Sequence, residues 1–170
     1  MNYTYFIPVP ETIEELKALY RKLAMKHHPD LGGNTETMKS VNNEYDALFE
    51  DVKSYRRNAK GEVYTKETTE APEHFRDIVD ALIKLQMEGV EIELIGSFLW
   101  VSGNTKPYKD EIKELGFKWS QNKTAWYLSP DGYRKPSRKD FTVNDIRNMY
   151  GSANVHAKTK DESEKIAIPA

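Results

Sequence analysis

The chain contains no cysteine, and this absence excludes several classes of protein at once. None of the 170 residues can form a disulfide, ligate a metal through sulfur or act as a cysteine nucleophile. Such a composition suits a reducing compartment, so we expect a cytoplasmic location. No apolar run approaches the roughly 20 residues of a membrane-spanning helix, and the N-terminus lacks the basic start and apolar stretch of a secretion signal. We therefore expect no membrane partner.

Recognisable catalytic patterns are also missing. The chain has no glycine-rich phosphate loop followed by Lys-Ser/Thr and no His/Glu spacing typical of a metal site. His27 and His28 with Asp30 come nearest to a metal site, but adjacent helical histidines point in different directions. Asp110 and Glu111 fall in the first turn of a predicted helix, where the helix dipole explains them. We expect no catalytic residue, no metal, no cofactor and no enzymatic activity.

The small net charge of −2 hides an uneven distribution of charge. Residues 60–95 carry four basic and nine acidic side chains, whereas residues 104–139 carry nine basic and four acidic side chains, a local net of +5. Aromatic residues lie among these cations, a combination that suits single-stranded nucleic acid because cations follow phosphates and rings stack on bases. The candidate contacts are Lys106, Lys109, Lys113, Lys118, Lys123, Arg134, Lys135, Arg138 and Lys139. A solvated surface is the alternative for the cations, and for Trp100, Trp119 and Trp126 we favour the core of a small domain.

The N-terminal third predicts two amphipathic helices joined by a short turn. In the first helix, an apolar stripe of helical period follows a capping box formed by Thr12 and Glu15. The stripes are Leu16, Leu19, Tyr20 and Leu23 in the first helix and Met38, Val41, Tyr45, Leu48 and Val52 in the second. Asn34 or Thr35 can cap the second helix, and Gly32-Gly33 lets the chain reverse. We expect an antiparallel helical hairpin.

A cationic face and an exposed turn accompany this hairpin. Lys17, Arg21, Lys22 and Lys26 lie off the apolar stripe and face solvent or a partner. The tripeptide His28-Pro29-Asp30 follows directly, since proline stops the helix. The imidazole and the carboxylate are thus held at the end of a cationic rod.

Residues 15–24, followed by His28-Pro29-Asp30, resemble the second helix and signature loop of J domains, the DnaJ-type co-chaperones. The run from His28 through Gly32-Gly33-Asn34 to Tyr45 is similar to the J domains of polyomavirus T antigens. The resemblance covers residues 3–57. An ordinary J domain begins with a full first helix, but here Pro8 and Pro10 interrupt the short leading segment. We expect Tyr3, Tyr5, Phe6 and Ile7 to cover the hairpin core as an arm.

The resemblance implies a function without chemistry of its own. A J domain binds a DnaK-type chaperone and triggers its ATP hydrolysis. Carried onto this chain, His28, Pro29 and Asp30 are the trigger, and Lys17, Arg21, Lys22 and Lys26 are the docking face. A cationic helix suits an acidic partner and speeds encounter, and Asp30 can bind an arginine of that partner.

The remainder of the chain predicts a small α+β domain with an antiparallel sheet. We expect a J-like hairpin with an N-terminal arm over residues 1–57, a linker over 58–71, the α+β module over 72–151 and a disordered tail over 152–170. The module's predicted order is α-β-β-α-β-β-α. Its stretch from Val101 to Tyr127 resembles segments that accompany J domains in phage and prophage proteins and, more loosely, the HARP domains of annealing helicases.

These features together predict a two-module adaptor of phage or prophage origin acting in a bacterial cytoplasm. The hairpin recruits a DnaK-type chaperone, and the α+β module holds a client protein or single-stranded nucleic acid. One alternative is a replication or recombination accessory that binds nucleic acid and carries a degenerate J domain. Another is an inhibitor that binds one host protein. The client and the oligomeric state stay open.

Overall fold

The computed structural model describes residues 2–58, 60–95, 98–129, 141–150 and 152–156, with side-chain detail through Asn148. It confirms the predicted architecture, an N-terminal helical hairpin followed by a small α+β domain. Within the described residues, no helix is long and apolar enough to cross a membrane.

The hairpin consists of α1 (Ile13–His27) and α2 (Thr35–Val52). Both predicted caps are present: Thr12 Oγ1 accepts from the Glu15 N–H at 3.4 Å, and Asn34 Oδ1 accepts from the N–H groups of Glu36 and Thr37 at 2.9 and 3.1 Å. These side chains satisfy donors that the first helical turn leaves unpaired. The predicted stripe of α2 is buried throughout, and in α1 Leu16 and Tyr20 are buried.

The leading segment packs on the hairpin as an arm, as predicted, with one exception. Phe6 is fully buried, with its ring centroid 6.5 Å from that of Tyr45, and Tyr3 and Tyr5 pack partly against the same core. The expectation for Ile7 is wrong, because its side chain is 68% exposed. The chain bends over residues 4–6 and carries Ile7 away from the core that Phe6 enters.

A short β-hairpin that the sequence analysis does not predict follows α2. Strands β1 (Tyr55–Arg57) and β2 (Val63–Thr65) pair antiparallel, and β2 lies inside the segment expected to be a linker. Asn58 Oδ1 accepts from the N–H groups of Lys60 and Glu62, both at 2.9 Å, and shapes the turn. All three residues of β2 are exposed, so no apolar alternation marks the strand.

Helix α3 (Pro72–Lys84) separates two hydrophobic cores and contributes to both. Phe75, Val79 and Ile83 join the core of the helical hairpin, whereas Ile78 and Leu82 join the core beneath the sheet. The apolar face of α3 is therefore wide enough to pack against both cores. Helix α3 connects the two halves of the protein.

The second half is built on a five-stranded antiparallel sheet in the order β5-β6-β4-β3-β7. Its strands are β3 (Val90–Ile95), β4 (Phe98–Gly103), β5 (Lys118–Ser120), β6 (Ala125–Leu128) and β7 (Ser152–His156). Helix α4 (Lys109–Glu114) precedes β5, and helix α5 (Val143–Tyr150) precedes β7. Thr142 and Asp145 cap each other's backbone at the start of α5.

The expectation of a disordered tail from Ser152 is wrong for its first five residues. Ser152–His156 forms β7 and pairs with β3, with Ile92 opposite Val155. Without β7, one edge of β3 would leave its backbone N–H and C=O groups without ladder partners, and β7 supplies them. Residues 157–170 lie outside the described residues.

Candidate functional site

The turn between α1 and α2 holds His28 by both of its ring nitrogens. Helix α1 ends at His27, His28 takes an extended backbone conformation, and Pro29 opens a short 3₁₀ turn over Pro29–Leu31. His28 Nδ1 accepts from the Asp30 N–H at 3.1 Å, and Nε2 lies 2.6 Å from Asp80 Oδ1. Because Nδ1 accepts a hydrogen bond, Nε2 carries a proton and donates it to Asp80.

Asp80 belongs to α3, which brings the second half of the chain onto the turn. Partial burial alone raises the pKa of the Asp80 carboxyl, but hydrogen bonds and charges from Lys84 and His28 outweigh it and hold the pKa below its usual value. Lys84 Nζ lies 2.7 Å from Asp80 Oδ2. Asp80 is therefore a carboxylate at neutral pH and a strong acceptor for the His28 ring.

The three residues of the predicted trigger differ in exposure. Pro29 and Asp30 are exposed, whereas His28 is only 6% exposed. Gly33 allows the tight return of the chain, since a Cβ there would collide with the His27 carbonyl oxygen. The turn thus presents Pro29 and Asp30 to solvent and directs the imidazole inward.

Lys17, assigned to the docking face, is buried against the segment that leads into α3. Its Nζ lies 2.6 Å from Glu70 Oε1 and 5.0 Å from the centroid of the Phe75 ring. Burial lowers the pKa of Lys17, and the Glu70 carboxylate opposes that shift. Both side chains of this ion pair are almost inaccessible, so each charge depends on the other.

Arg21, the next residue of the predicted face, is buried against the sheet. Its Nη2 donates to the Ile92 carbonyl of β3 at 2.8 Å, while Nη1 has no hydrogen-bond partner in the described part of the chain. Burial lowers the pKa of Arg21 to about 9, against the opposing influence of Glu93. The guanidinium therefore stays charged at neutral pH in a largely apolar setting.

The other two predicted docking residues, Lys22 and Lys26, are exposed. They lie one helical turn apart on α1, and Asp30 is exposed beyond them. The structure therefore divides the four cations of the predicted docking face into a buried pair and an exposed pair.

The candidate nucleic-acid contacts lie in the second half of the chain. Lys106, Lys109, Lys113 and Lys118 are exposed and Lys123 is partly exposed, whereas Arg134, Lys135, Arg138 and Lys139 lie outside the described residues. The expectation that the tryptophans form a core holds for Trp100 but is wrong for Trp119, which is 46% exposed on the short edge strand β5. Its ring packs edge-on against that of half-buried Trp126, with centroids 5.5 Å apart.

Sequence reasoning missed Glu70 and Asp80, the two carboxylates that contact the predicted site. One available signal was the acidic excess of residues 60–95, which lies next to a basic α1 in a protein of almost neutral total charge. Opposite charge in neighbouring segments is compatible with their pairing, but it does not identify which side chains meet.

Comparison with curated proteins finds relatives of the helical hairpin. A 58-residue stretch is 40% identical to Chaperone protein DnaJ 2 of Synechocystis sp. and covers 31% of this chain and 19% of that protein. A 54-residue stretch is 41% identical to Chaperone protein dnaJ A6 of Oryza sativa subsp. japonica and covers 31% and 13%, respectively. A 36-residue stretch is 47% identical to the Small t antigen of Budgerigar fledgling disease virus and covers 21% and 25%.

This chain therefore spans a quarter or less of the length of these relatives. No family model and no solved structure matches it. The resemblance seen in the sequence is nevertheless supported by DnaJ-type and T-antigen relatives alike, and the fold contains the expected hairpin with His28-Pro29-Asp30 at its turn. The chain is therefore similar to DnaJ-type and T-antigen proteins over about a third of its length or less.

Proposed function

We propose that this protein is a co-chaperone that recruits a DnaK-type chaperone, stimulates its ATP hydrolysis and supplies no catalytic group itself. The observation that carries the proposal is the tripeptide His28-Pro29-Asp30, held at the turn of a J-family hairpin beside a cationic helix. The chaperone-named relatives of this hairpin support the assignment. Exposed Lys22, Lys26 and Asp30 are available to a partner at once, and cations on α1 suit an acidic surface.

We further propose that the second half of the chain directs the chaperone to its client. The five-stranded sheet and its helices lie outside the helical hairpin in the chain and form a hydrophobic core of their own. The likeness to segments of phage and prophage J-domain proteins supports a mobile-element origin and action in a bacterial cytoplasm.

Single-turnover ATP hydrolysis by a bacterial DnaK tests the chaperone proposal. We expect the chain to accelerate hydrolysis and His28→Gln to abolish that acceleration, because the trigger imidazole is lost. His27→Gln is the matched control, since it makes the same change one residue earlier, outside the trigger. If no folded form of the chain accelerates hydrolysis, including the variants of α3 described below, the proposal is wrong.

A second candidate function, binding of single-stranded nucleic acid, is favoured by one observation. Trp119 presents much of its ring to solvent on an edge strand that also carries exposed Lys118. An exposed ring among cations can stack on a base, with a contribution of about 1–3 kcal/mol per base. Affinity for a labelled single-stranded oligonucleotide should then fall steeply with salt and about tenfold or more in Trp119→Ala. An affinity that changes neither with salt concentration nor in Trp119→Ala would exclude this function.

A further inference from the structure

One segment of the second half lies on the proposed docking face of α1. Residues 70–84, here called the α3 cover, comprise Glu70, Ala71 and helix α3 itself. Glu70 pairs with Lys17 near the start of α1, and Asp80 binds His28 just beyond its end. The α3 cover therefore contacts the proposed site at two points more than a helical turn apart, and it engages the imidazole of the trigger.

Apolar contacts hold the middle of the α3 cover between these two points. The Phe75 ring centroid lies 6.2 Å from that of Tyr20 on α1 and 6.4 Å from that of Tyr45 on α2. Val79 and Ile83 are buried in the same core. Burial of side chains of this size stabilises a closed arrangement.

Some buried polar atoms where α1 meets the α3 cover and the sheet lack hydrogen-bond partners, which is unusual for a permanently packed core. Arg21 Nη1 and Glu70 Oε2 are buried and have no hydrogen-bond partner in the described part of the chain. An open cleft of about 110 Å³ lies beside His28 and Asp80, between α1, α2 and α3. Unpaired buried polar atoms reduce stability. Charged groups that are incompletely paired inside are better satisfied when the surface is hydrated or engaged by another partner.

The α3 cover also carries acidic groups, the kind of group that we expect on the docking surface of the proposed chaperone partner. Lys17 meets a carboxylate of Glu70, and His28 meets a carboxylate of Asp80, so acidic groups of the same chain occupy the positions where acidic groups of a chaperone would dock. Two ligands for one face exclude each other, and the intramolecular one has the advantage of a high effective concentration.

We propose that the α3 cover is an autoinhibitory element, which must leave α1 before a chaperone can reach Lys17 and His28. This inference rests on the proposed co-chaperone function. In the closed form only Lys22, Lys26, Pro29 and Asp30 are accessible, which permits encounter but not full docking. The apparent affinity for the chaperone is then reduced in proportion to the fraction of molecules that are open.

Two substitutions in the α3 cover test the inference in the full chain. Asp80→Ala removes the acceptor of His28, and Glu70→Ala removes the counter-ion of Lys17 at the other end. Glu73→Ala is the matched control, since Glu73 is an exposed acid on the same helix that does not line the cleft beside His28. For each protein, the concentration that gives half-maximal stimulation of DnaK is measured, together with amide hydrogen exchange in α1 and α3.

We expect both substitutions to speed exchange in α3 while α2 stays protected, and to lower the half-maximal concentration by about tenfold or more, since loss of one charge-assisted contact weakens the closed state by at least about that factor. Adding His28→Gln to either variant should abolish the stimulation. Glu73→Ala should behave as the unsubstituted chain. The two sites act independently, so loss of folding in one variant leaves the other to decide.

Other outcomes contradict the inference in distinguishable ways. If α3 opens but the half-maximal concentration stays unchanged, with His28-dependent stimulation throughout, the α3 cover does not inhibit, although the co-chaperone function stands. If exchange in α3 stays unchanged in both variants, these contacts do not hold the cover closed, and the inference is wrong. If α3 opens and no protein stimulates DnaK, the co-chaperone function fails, and autoinhibition fails with it.

Discussion

Helix α1 carries two pairs of cations that the sequence does not distinguish but that the structure treats in opposite ways. Lys17 and Arg21 are buried against Glu70 and β3, whereas Lys22 and Lys26 are exposed. The exposed pair is hydrated and screened by salt, so it adds little to stability and remains free to meet a partner. The buried pair has lost its water and depends on groups of the same chain. A cationic helix face is therefore not one functional surface, because each residue's role depends on what packs over it.

The largest difference should appear in stability when one buried charge loses its partner. Lys17→Met leaves the Glu70 carboxylate buried without a counter-ion, so we expect the free energy of unfolding to fall by about 3–5 kcal/mol. Lys22→Met, the same change on the exposed pair, should alter it by no more than about 0.5 kcal/mol. Urea denaturation of both variants measures the difference.

A double substitution sharpens this result. Lys17→Met combined with Glu70→Leu removes both charges, and we expect it to recover most of the lost stability because no buried charge is left unpaired. If Lys17→Met and Lys22→Met destabilise equally, the buried ion pair does not have the importance that the structure gives it.

Within the buried pair, we expect Arg21 to contribute less than Lys17 to the free energy of unfolding. Arg21→Met removes a hydrogen bond to the Ile92 carbonyl but leaves no carboxylate without its ion pair. We expect a loss of about 1–3 kcal/mol in the free energy of unfolding, with the apolar methionine offsetting part of it. A loss larger than that of Lys17→Met would show that Arg21 has a further partner in the folded protein.

The exposed pair should affect partner binding rather than folding. Lys22→Glu with Lys26→Glu reverses two charges that an acidic chaperone surface would meet first, so we expect about a tenfold rise in the half-maximal concentration for DnaK stimulation at low salt. The effect should shrink as ionic strength rises. Unfolding in urea should be nearly unchanged. A salt-independent effect would mean that the substitutions act through folding instead.

Much of the fold can be read from local patterns. Caps at Thr12, Asn34 and Thr142 act on the next few residues, and apolar stripes of helical period mark α1, α2 and α3, so these elements depend on short-range information. The strands β1, β2 and β7 escape such reading. Val63–Thr65 is wholly exposed, and β7 forms because β3 offers an unpaired edge far away in the chain.

The candidate site likewise has features that follow from local sequence and features that depend on long-range contacts. The sequence by itself determined that a cationic helix ends in His28-Pro29-Asp30 at a turn, since helix periodicity and a proline suffice for that. It also showed the resemblance to J domains. Only the tertiary structure decided that His28 binds Asp80, that Lys17 pairs with Glu70 and that Arg21 reaches β3. These contacts join residues 52, 53 and 71 positions apart, and no local preference specifies which charged side chains meet once α3 packs on α1. Burial is a property of the assembled chain, and here it decides which cations hold the protein together and which remain available to a partner.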